Sequence, residues 1–222
     1  MNTQTTKILL TSGATQEPID DVRFLGNRSS GKLGALIAYA AAVGGHEVTL
    51  LLGEHAQPPA AHPRLSILPF TTTADLQAQL HALWPDHTLL IMAAAVSDYT
   101  PKNNAIKGKI TRGMSDILDV QATPDIVAGL STTTSEHQRI IAFALEEAKN
   151  LQERALKKLS SKNVDAIVAN PIQTMESDRI EAKVFCKDGA EYSPSECISK
   201  ATFARWLISN LHEIVKLPNT EV

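Results

Sequence analysis

Apolar residues occur along this chain in short unbroken runs separated by longer segments with helical periodicity. Runs whose apolar residues do not alternate with polar ones are typical of parallel strands covered on both faces. The runs that predict strands are residues 7–11, 47–52, 65–70, 89–94, 139–144 and 166–169. Strands joined in this way through helices form right-handed βαβ units. The predicted fold class is therefore α/β, a doubly wound, Rossmann-like parallel sheet with helices on both faces.

The predicted helices begin at polar residues that can cap a helix. The first begins between Ser29 and Gly31 and ends near Gly44, a residue that allows a left-handed cap. Thr123 is the expected cap of a helix at residues 123–130, with Pro124 in its first turn. The other predicted helices are residues 73–84, 151–160 and 195–215. Asp-Gly at 188–189, between extended runs, predicts a C-terminal hairpin at 182–192, which the last helix follows.

A long polar loop, residues 12–34, connects the first predicted strand to the first predicted helix. Most such connections have about 2 to 6 residues, and longer ones are usually functional or disordered. Its last part, NRSSGK, places hydroxyls, a glycine and a lysine at a helix start, where free N–H groups favour phosphate. Neither the complete Walker motif GxxxxGK[ST] nor GxGxxG is present. Two interpretations remain open, a phosphate-binding turn and an ordinary serine cap beside a solvated lysine.

Ligands of doubly wound sheets bind at the carboxyl ends of the strands, so the polar residues that follow each strand form the candidate site. Those after the fourth strand lie in an excursion, residues 96–119, with a strand expected at 117–121. This excursion carries the basic residues Lys102, Lys107, Lys109 and Arg112. They are either solvated charges or a basic flap that closes on a triphosphate. The candidate site as a whole is rich in phosphate-binding groups and poor in nucleophiles.

Composition narrows the classes of function. With 222 residues, of which 43% are hydrophobic, we expect one domain, residues 1–222. The net charge of -3 gives no overall attraction to nucleic acid or to anionic membranes. No apolar run approaches the roughly 20 residues of a membrane span, and the first residues lack a signal-peptide core, so we expect a cytoplasmic protein. Cys186 and Cys197 are expected to be free thiols, and we assign no metal ligands because the histidines are scattered without ligand spacing.

Several motifs of this chain occur in a recognisable order. They are GATQEPIDDVRFLGNRSSGKLG, AAAVSDY, the KGK lysines, ATPDIVAGL, IIAFALEE and KKLSSKNVDAIVANP. Together they resemble the phosphopantothenate–cysteine ligase family of coenzyme A biosynthesis, over nearly the whole chain. The resemblance implies that the carboxylate of 4'-phosphopantothenate attacks the α-phosphate of CTP, giving an acyl-cytidylate and pyrophosphate. The amine of cysteine then attacks the acyl carbon and releases CMP. In many bacteria this domain is fused behind a flavin-dependent decarboxylase. The 222 residues leave no room for that partner, so we expect a stand-alone ligase.

The resemblance also implies roles for individual residues. Asn27 matches the asparagine that contacts the acyl group of the intermediate, and Lys107 matches the flap lysine on the nucleotide phosphates, which makes these two the catalytic candidates. Arg23, with Asn27, is implied in substrate binding. The implied nucleotide-binding residues are Gly13, Ser29, Ser30, Gly31, Lys32, Ala94, Ala95, Asp98, Lys109, Phe143, Lys158 and Lys162. Mg²⁺ is implied by the triphosphate chemistry, and a homodimer by the family.

Three departures from the family pattern leave alternatives open. The flap reads IKGKI instead of a Lys-Ile-Lys core, so both Lys107 and Lys109 are candidates for the working lysine. FALEEA replaces Phe-Ala-Ala-Glu-Thr, which leaves the role of Glu146 open. The segment after Asn170 lacks the usual glycine-and-asparagine turn, which keeps ATP beside CTP as a candidate nucleotide. Two competing interpretations are a Rossmann-type NAD(P)-dependent reductase and a nucleotide-binding module without turnover.

Overall fold

The computed structural model describes residues 5–103, 105–111, 118–175 and 177–217. The strands in this part of the chain are β1 (Lys7–Ser12), β2 (Gln16–Pro18), β3 (Phe24–Gly26), β4 (Glu47–Gly53), β5 (Leu65–Phe70), β6 (Leu89–Met92), β7 (Tyr99–Pro101), β8 (Val120–Ala122), β9 (Arg139–Glu146), β10 (Ala166–Pro171), β11 (Arg179–Ile180), β12 (Lys183–Cys186), β13 (Glu191–Tyr192) and β14 (Ile198–Ser199). The α-helices are α1 (Lys32–Val43), α2 (Thr73–Leu83), α3 (Ile126–Ser131), α4 (Leu151–Ser161), α5 (Lys200–Ser209) and α6 (Leu211–Val215). Short 3-10 turns occur at Trp84–Asp86, Ala148–Asn150 and Ile172–Thr174.

The main sheet has eight strands in the order β13-β12-β10-β9-β6-β1-β4-β5. All neighbours from β10 to β5 pair in parallel, while β12 is antiparallel to both β10 and β13. The six parallel strands β1, β4, β5, β6, β9 and β10 can be counted 1 to 6 in chain order. Their order across the sheet, starting from β5, is then 3-2-1-4-5-6, the doubly wound order, and the direction of winding reverses between β1 and β6. The predicted fold class is confirmed, including the C-terminal hairpin.

Helices cover both faces of the central strands of this sheet, which explains why those strands read as continuous apolar runs. The edge strand β5 is mostly exposed. Successive residues of a strand point to opposite faces. In β1, Ile8 and Leu10 pack in the core under α1, α5 and α6, whereas Leu9 packs in the core under α2, α3 and α4. All three side chains are fully buried. The carboxyl ends of β1, β6, β9 and β10 are thereby held side by side between the two helical layers.

Besides the β11–β14 pair, two small antiparallel sheets stand outside the main sheet, β2 with β3 and β7 with β8. The first lies inside the long polar loop that follows β1, where no strand was predicted. The second belongs to the excursion after β6; the predicted strand at 117–121 corresponds to β8 at Val120–Ala122, and residue 117 lies outside the described residues. Strand β2 contacts β7, so the two small sheets form one projection above the carboxyl edge of the main sheet.

Three predicted element boundaries are wrong. Helix α1 begins at Lys32 after Gly31, and no side chain caps it, so neither serine of the loop is a helix cap. Helix α3 begins at Ile126 because Asp125 caps it by accepting from the Ala128 N–H at 3.1 Å. The Thr123 hydroxyl instead donates to the carbonyl of Ser97, in the loop after β6. The closing helix predicted at 195–215 is divided into β14, α5 and α6, because Ile198–Ser199 pairs with β11 and the helix breaks before Leu211.

Candidate functional site

A cleft of about 760 Å³ opens at the carboxyl ends of the parallel strands. It brings together eleven of the residues that the sequence placed in the site, namely Asn27, Ser29, Ser30, Gly31, Lys32, Ala94, Ala95, Asp98, Phe143, Lys158 and Lys162. These residues follow β3 or β6, lie within β9 or lie at the end of α4. The cleft therefore lies at the edge of the sheet where doubly wound proteins bind their ligands.

The start of α1 forms one wall of the cleft and lies against the end of β1. Gly31 adopts a left-handed conformation, with φ of 74°, and an added Cβ there would lie 2.7 Å from Ala56 Cβ. Ser12 Oγ donates to Gly31 O at 2.7 Å, which holds the helix start against the strand. Because Lys32, Leu33 and Gly34 line the cleft and no side chain caps α1, the backbone amides of its first turn are suited to an anion.

Asn27 connects the loop before α1 with the loop after β6. Its Nδ2 donates to Val96 O at 3.0 Å, and the side chain is exposed to the cleft. An amide nitrogen carries two hydrogens, so the bond to Val96 O orients the side chain and leaves a second N–H for a ligand. Asp98 lies two residues further along the same loop, and its exposed carboxylate has no hydrogen-bond partner among the described residues.

Each of three cleft lysines is paired with a carboxylate. Lys158 Nζ lies 2.7 Å from Glu146 Oε1, and the Glu146 side chain is only 5% exposed. Glu146 is therefore a buried counter-charge for Lys158, and it does not line the cleft itself.

Lys162 Nζ lies 2.6 Å from Asp125 Oδ2, and Lys32 Nζ pairs with Asp178. Burial on its own raises the pKa of Asp125, but the hydrogen bond from Lys162 and the N–H groups of α3 outweigh it and lower the pKa. The paired Lys32 ammonium likewise lowers the pKa of Asp178. Both carboxylates are therefore charged at neutral pH.

The described lining of the cleft is nevertheless basic overall. Its charged members are Arg28, Lys32, Lys158, Lys162 and Lys200 against Asp98 and Asp125. This excess of three positive charges contrasts with a net charge of -3 for the whole chain. A cleft lined by one sign of charge concentrates ligands of the opposite sign, so this one is suited to a polyanion.

Four of the predicted site residues do not line the cleft, namely Gly13, Arg23, Lys107 and Lys109. Gly13 has φ of 93°, and a Cβ there would lie 2.9 Å from Ala56 Cβ, so its place in the structure requires glycine for close packing. Arg23 forms an ion pair with Asp20 at 2.6 Å. The two lysines lie in the segment 105–111, which is bound to the loop between β2 and β3. Arg112, at the end of the basic group, lies outside the described residues.

The structure adds residues to the cleft that sequence reasoning missed. Lys200, at the first position of α5, lines the cleft and is 8% exposed. Its position near the C-terminus put it outside every motif, and no local signal marks it. The sequence analysis gave Asp125 no role in the site. In the structure it caps α3 and also pairs with a cleft lysine.

The chemistry available in the cleft is that of binding and charge stabilisation. Its described lining includes hydroxyls, amides, cations and two aspartates but no histidine, cysteine or glutamate, and no serine hydroxyl of this lining is hydrogen-bonded to a side-chain base. Among the described residues, no group of three or more His, Cys, Asp or Glu could hold a metal ion.

Both cysteines are free thiols, as predicted, and burial raises the pKa of Cys186 to about 11. No helix in the described part of the chain has the length and apolar character needed to cross a membrane.

A doubly wound sheet with a basic cleft at its switch point defines an α/β protein whose cleft is suited to phosphate-bearing ligands. The chain belongs to the family described as the DNA/pantothenate metabolism flavoprotein C-terminal domain, whose model matches residues 3–215. The resemblance predicted from the sequence motifs is thus confirmed at the level of the family.

Relatives and solved structures agree with this assignment. The chain is 36% identical over 196 residues to the coenzyme A biosynthesis bifunctional protein CoaBC of Escherichia coli K12, an alignment that covers 85% of this chain and 48% of the relative. The chain spans about half the length of the curated relatives it matches. A DNA/pantothenate metabolism flavoprotein from Streptococcus pneumoniae superposes with a TM-score of 0.83 at 28% identity, covering 94% of this chain and 99% of that one. The C-terminal domain of a CoaBC protein gives 0.79 at 30% identity, covering 96% and 97%.

Proposed function

We propose that this protein is a phosphopantothenate–cysteine ligase, which joins 4'-phosphopantothenate to cysteine through an acyl-cytidylate formed from CTP. The observation that carries the proposal is the basic cleft in which the uncapped start of α1, Asn27 and two lysines at the end of α4 come together. Membership of the family supports it, since the E. coli relative is named for coenzyme A biosynthesis. The absence of an activated nucleophile from the described lining agrees with a reaction in which the substrates attack each other.

In the first half-reaction, a carboxylate oxygen of 4'-phosphopantothenate attacks the α-phosphorus of the nucleotide. The bond from the α-phosphorus to the bridging oxygen breaks, and pyrophosphate leaves with the electron pair. The protein has to place two anions in line and balance their charge. In the proposal, the amides at the start of α1 and the cleft lysines bind the phosphates, while Lys107 or Lys109 approaches them from the flap.

In the second half-reaction, the amine of cysteine attacks the acyl carbon, and CMP leaves. Negative charge develops on the acyl oxygen, and a fixed N–H donor stabilises it. We assign this donor to Asn27, because Val96 O orients its amide and a second N–H remains for the substrate. An aspartate there would present only acceptors when ionised, so Asn27→Asp is expected to block this step.

Mg²⁺ forms part of the proposal as a partner of the triphosphate. The described residues offer no ligand cluster, and Asp98 is the one cleft carboxylate with no described partner. Mg²⁺ commonly keeps several waters and binds through one or two carboxylates plus substrate phosphates, which this arrangement fits. When bound, the ion would neutralise charge on the phosphate oxygens.

Three further expectations from the sequence stay proposals, namely one domain, a cytoplasmic location and a homodimer. The last is supported by exposed apolar side chains on and beside the two small sheets, where Val22, Phe24 and Tyr99 are 62%, 50% and 55% exposed. Contiguous exposed apolar surface often marks an interface with another chain. Light scattering should give twice the chain mass, and Val22→Asp combined with Phe24→Asp should give a monomer. A monomeric wild-type protein would contradict the dimer.

One experiment tests the activity. Purified protein is mixed with 4'-phosphopantothenate, cysteine, Mg²⁺ and either CTP or ATP, and pyrophosphate and ligated product are measured. The ligase requires pyrophosphate release that depends on both the acid and a nucleotide. The ratio of the rates with CTP and ATP decides the nucleotide.

Variants then separate the half-reactions. Asn27→Asp should release pyrophosphate and accumulate acyl-cytidylate, and normal ligation by this variant would refute the role of Asn27. Lys107→Gln and Lys109→Gln should slow pyrophosphate release, and the larger loss identifies the working lysine. Binding of reduced nicotinamide with a change in its fluorescence, without pyrophosphate release, would favour the reductase. Nucleotide binding without turnover would favour a non-catalytic module.

A further inference from the structure

Asp20, in the loop between β2 and β3, is an acidic residue that the proposed reaction leaves without a role. Its side chain is completely buried. A carboxylate is rarely buried unless hydrogen bonds satisfy it. Asp20 accepts from the N–H groups of Val22 and Arg23 at 2.8 and 2.7 Å, from Arg23 Nη1 at 2.6 Å and from the N–H of Ile110 at 3.0 Å.

The bond to Ile110 joins two distant parts of the chain. Asp20 and Arg23 together bind both backbone polar groups of this residue, because Arg23 Nη1 also donates to Ile110 O at 3.2 Å. Burial alone raises the pKa of Asp20, but the N–H donors of Ile110, Val22 and Arg23, with the Arg23 guanidinium, outweigh it and lower the pKa. The carboxylate is therefore charged at neutral pH, which makes its hydrogen bonds strong.

The same loop binds two more residues of the basic flap, defined here as residues 105–111. Asp21 donates its N–H to Gly108 O at 3.1 Å and accepts from the Gly108 N–H through Oδ2 at 2.7 Å. The N–H of Ile106 donates to Ile19 O at 3.1 Å. Residues 106, 108 and 110 are thus bound through their backbones, while the intervening Lys107 and Lys109 keep exposed side chains.

We propose that Asp20 is a positioning residue that fixes the basic flap by its backbone, so that Lys107 and Lys109 are ordered before the nucleotide binds. This role rests on the proposed ligase function, because it assumes that the flap lysines approach a triphosphate. A flap ordered in advance loses less conformational entropy when the lysines engage phosphate. The role of Arg23 is then to bind the flap together with Asp20, which differs from the substrate contact that the family resemblance implied.

Hydrogen exchange of the flap amides tests the contact without any substrate. In Asp20→Asn, an NH₂ group replaces an acceptor oxygen, and we expect residues 106–110 to exchange about tenfold faster or more. The matched control is Glu17→Gln, because Glu17 is a buried carboxylate of β2 that binds Thr73 and not the flap. This control should leave flap exchange at the wild-type rate. Wild-type exchange in Asp20→Asn would overturn the proposal.

A second variant covers the case in which Asp20→Asn does not fold. Asp21→Ala removes the exposed carboxylate that binds Gly108 and should speed flap exchange with little loss of stability. If neither variant loosens the flap, the proposal is wrong.

Kinetics test the positioning role. Asp20→Asn should slow pyrophosphate release about tenfold, with the reaction of preformed acyl-cytidylate with cysteine unchanged. In a Lys107→Gln, Lys109→Gln background it should cause no further loss, since it acts through these lysines. A flap that loosens while pyrophosphate release stays at the wild-type rate would overturn the role. If wild-type protein releases no pyrophosphate at all, the ligase proposal fails, and the exchange data still decide whether Asp20 orders the flap.

Discussion

Replacing Gly34 with alanine tests whether the start of α1 has to lie directly against the end of β1. A methyl group on Gly34 would lie 2.4 Å from Ser12 Oγ and 2.6 Å from Ser12 Cβ. Non-bonded carbon atoms at their optimal separation are about 3.5–4.0 Å apart, so the helix has to shift by about 1 Å. Ser12 cannot simply rotate away, because its Oγ donates to Gly31 O at 2.7 Å.

The size of the effect follows from three contributions to the free energy of unfolding. Forcing an extra methyl group into a close-packed site costs about 1–3 kcal/mol. Loss of the Ser12 hydrogen bond adds about 1 kcal/mol. Alanine is favoured over glycine within a helix by about 1 kcal/mol, which acts in the opposite direction. We therefore expect Gly34→Ala to destabilise the protein by about 2 kcal/mol.

Urea unfolding, followed by circular dichroism, measures this change, and Gly129→Ala is the matched control. Gly129 lies within α3, and an added Cβ there would meet no atom within 4 Å. The control substitution should therefore stabilise the protein by about 0.5–1 kcal/mol. Gly34→Ala should also weaken nucleotide binding, because the helix start lines the cleft. An unfolding midpoint at or above wild type for Gly34→Ala, with the control behaving as expected, would refute the close approach of α1 to β1.

Three further predictions follow from ionisable groups. Glu146→Gln should lower the unfolding free energy by about 1–2 kcal/mol, because partly exposed Lys158 loses its buried counter-charge. It should also weaken nucleotide binding, measured by calorimetry. Unchanged affinity would mean that Lys158 does not contact the nucleotide. Asp178→Asn should change stability by less than about 0.5 kcal/mol and tighten nucleotide binding, since Lys32 no longer has an exposed carboxylate partner that competes with phosphate; weaker binding would contradict this. Burial lowers the pKa of His46 below its usual 6.5, so the folded state resists protonation and the unfolding free energy should fall as the pH drops below 6.5. His46→Asn should reduce the difference in unfolding free energy between pH 5.5 and 7.5, measured by urea unfolding. An unchanged difference would show that another group is responsible.

Much of the main sheet could be predicted from the chain, because each buried parallel strand records its environment locally. Continuous apolar runs such as residues 47–52 mark a strand covered on both faces, and β4 was found at Glu47–Gly53. The Asp-Gly pair likewise located the hairpin of β12 and β13. One error occurred where two local signals compete, at Thr123 and Asp125, since either side chain can cap a helix. The division of the predicted closing helix depends instead on the pairing of Ile198–Ser199 with β11, a contact between segments that local pattern does not show.

The candidate site was predicted less completely, for a related reason. A side chain that follows a strand can be placed at the cleft from topology alone, and Asn27 and Asp98 were found there. The partner of a charged side chain depends on distances between segments that are far apart in the chain. No spacing rule relates Lys32 to Asp178, or brings buried Lys200 into the cleft.

The sequence by itself determined the α/β class, the doubly wound parallel sheet, the family and eleven residues of the cleft lining, because all of these are recorded in periodicity, short motifs and chain direction. Only the tertiary structure decided which carboxylate each lysine meets. It also showed that the polar run before Asn27 forms a hairpin whose Asp20 binds residue 110. The physical reason is that a hydrogen bond across 90 residues exists only once both backbones are in place, and neither segment alone has a pattern that requires it.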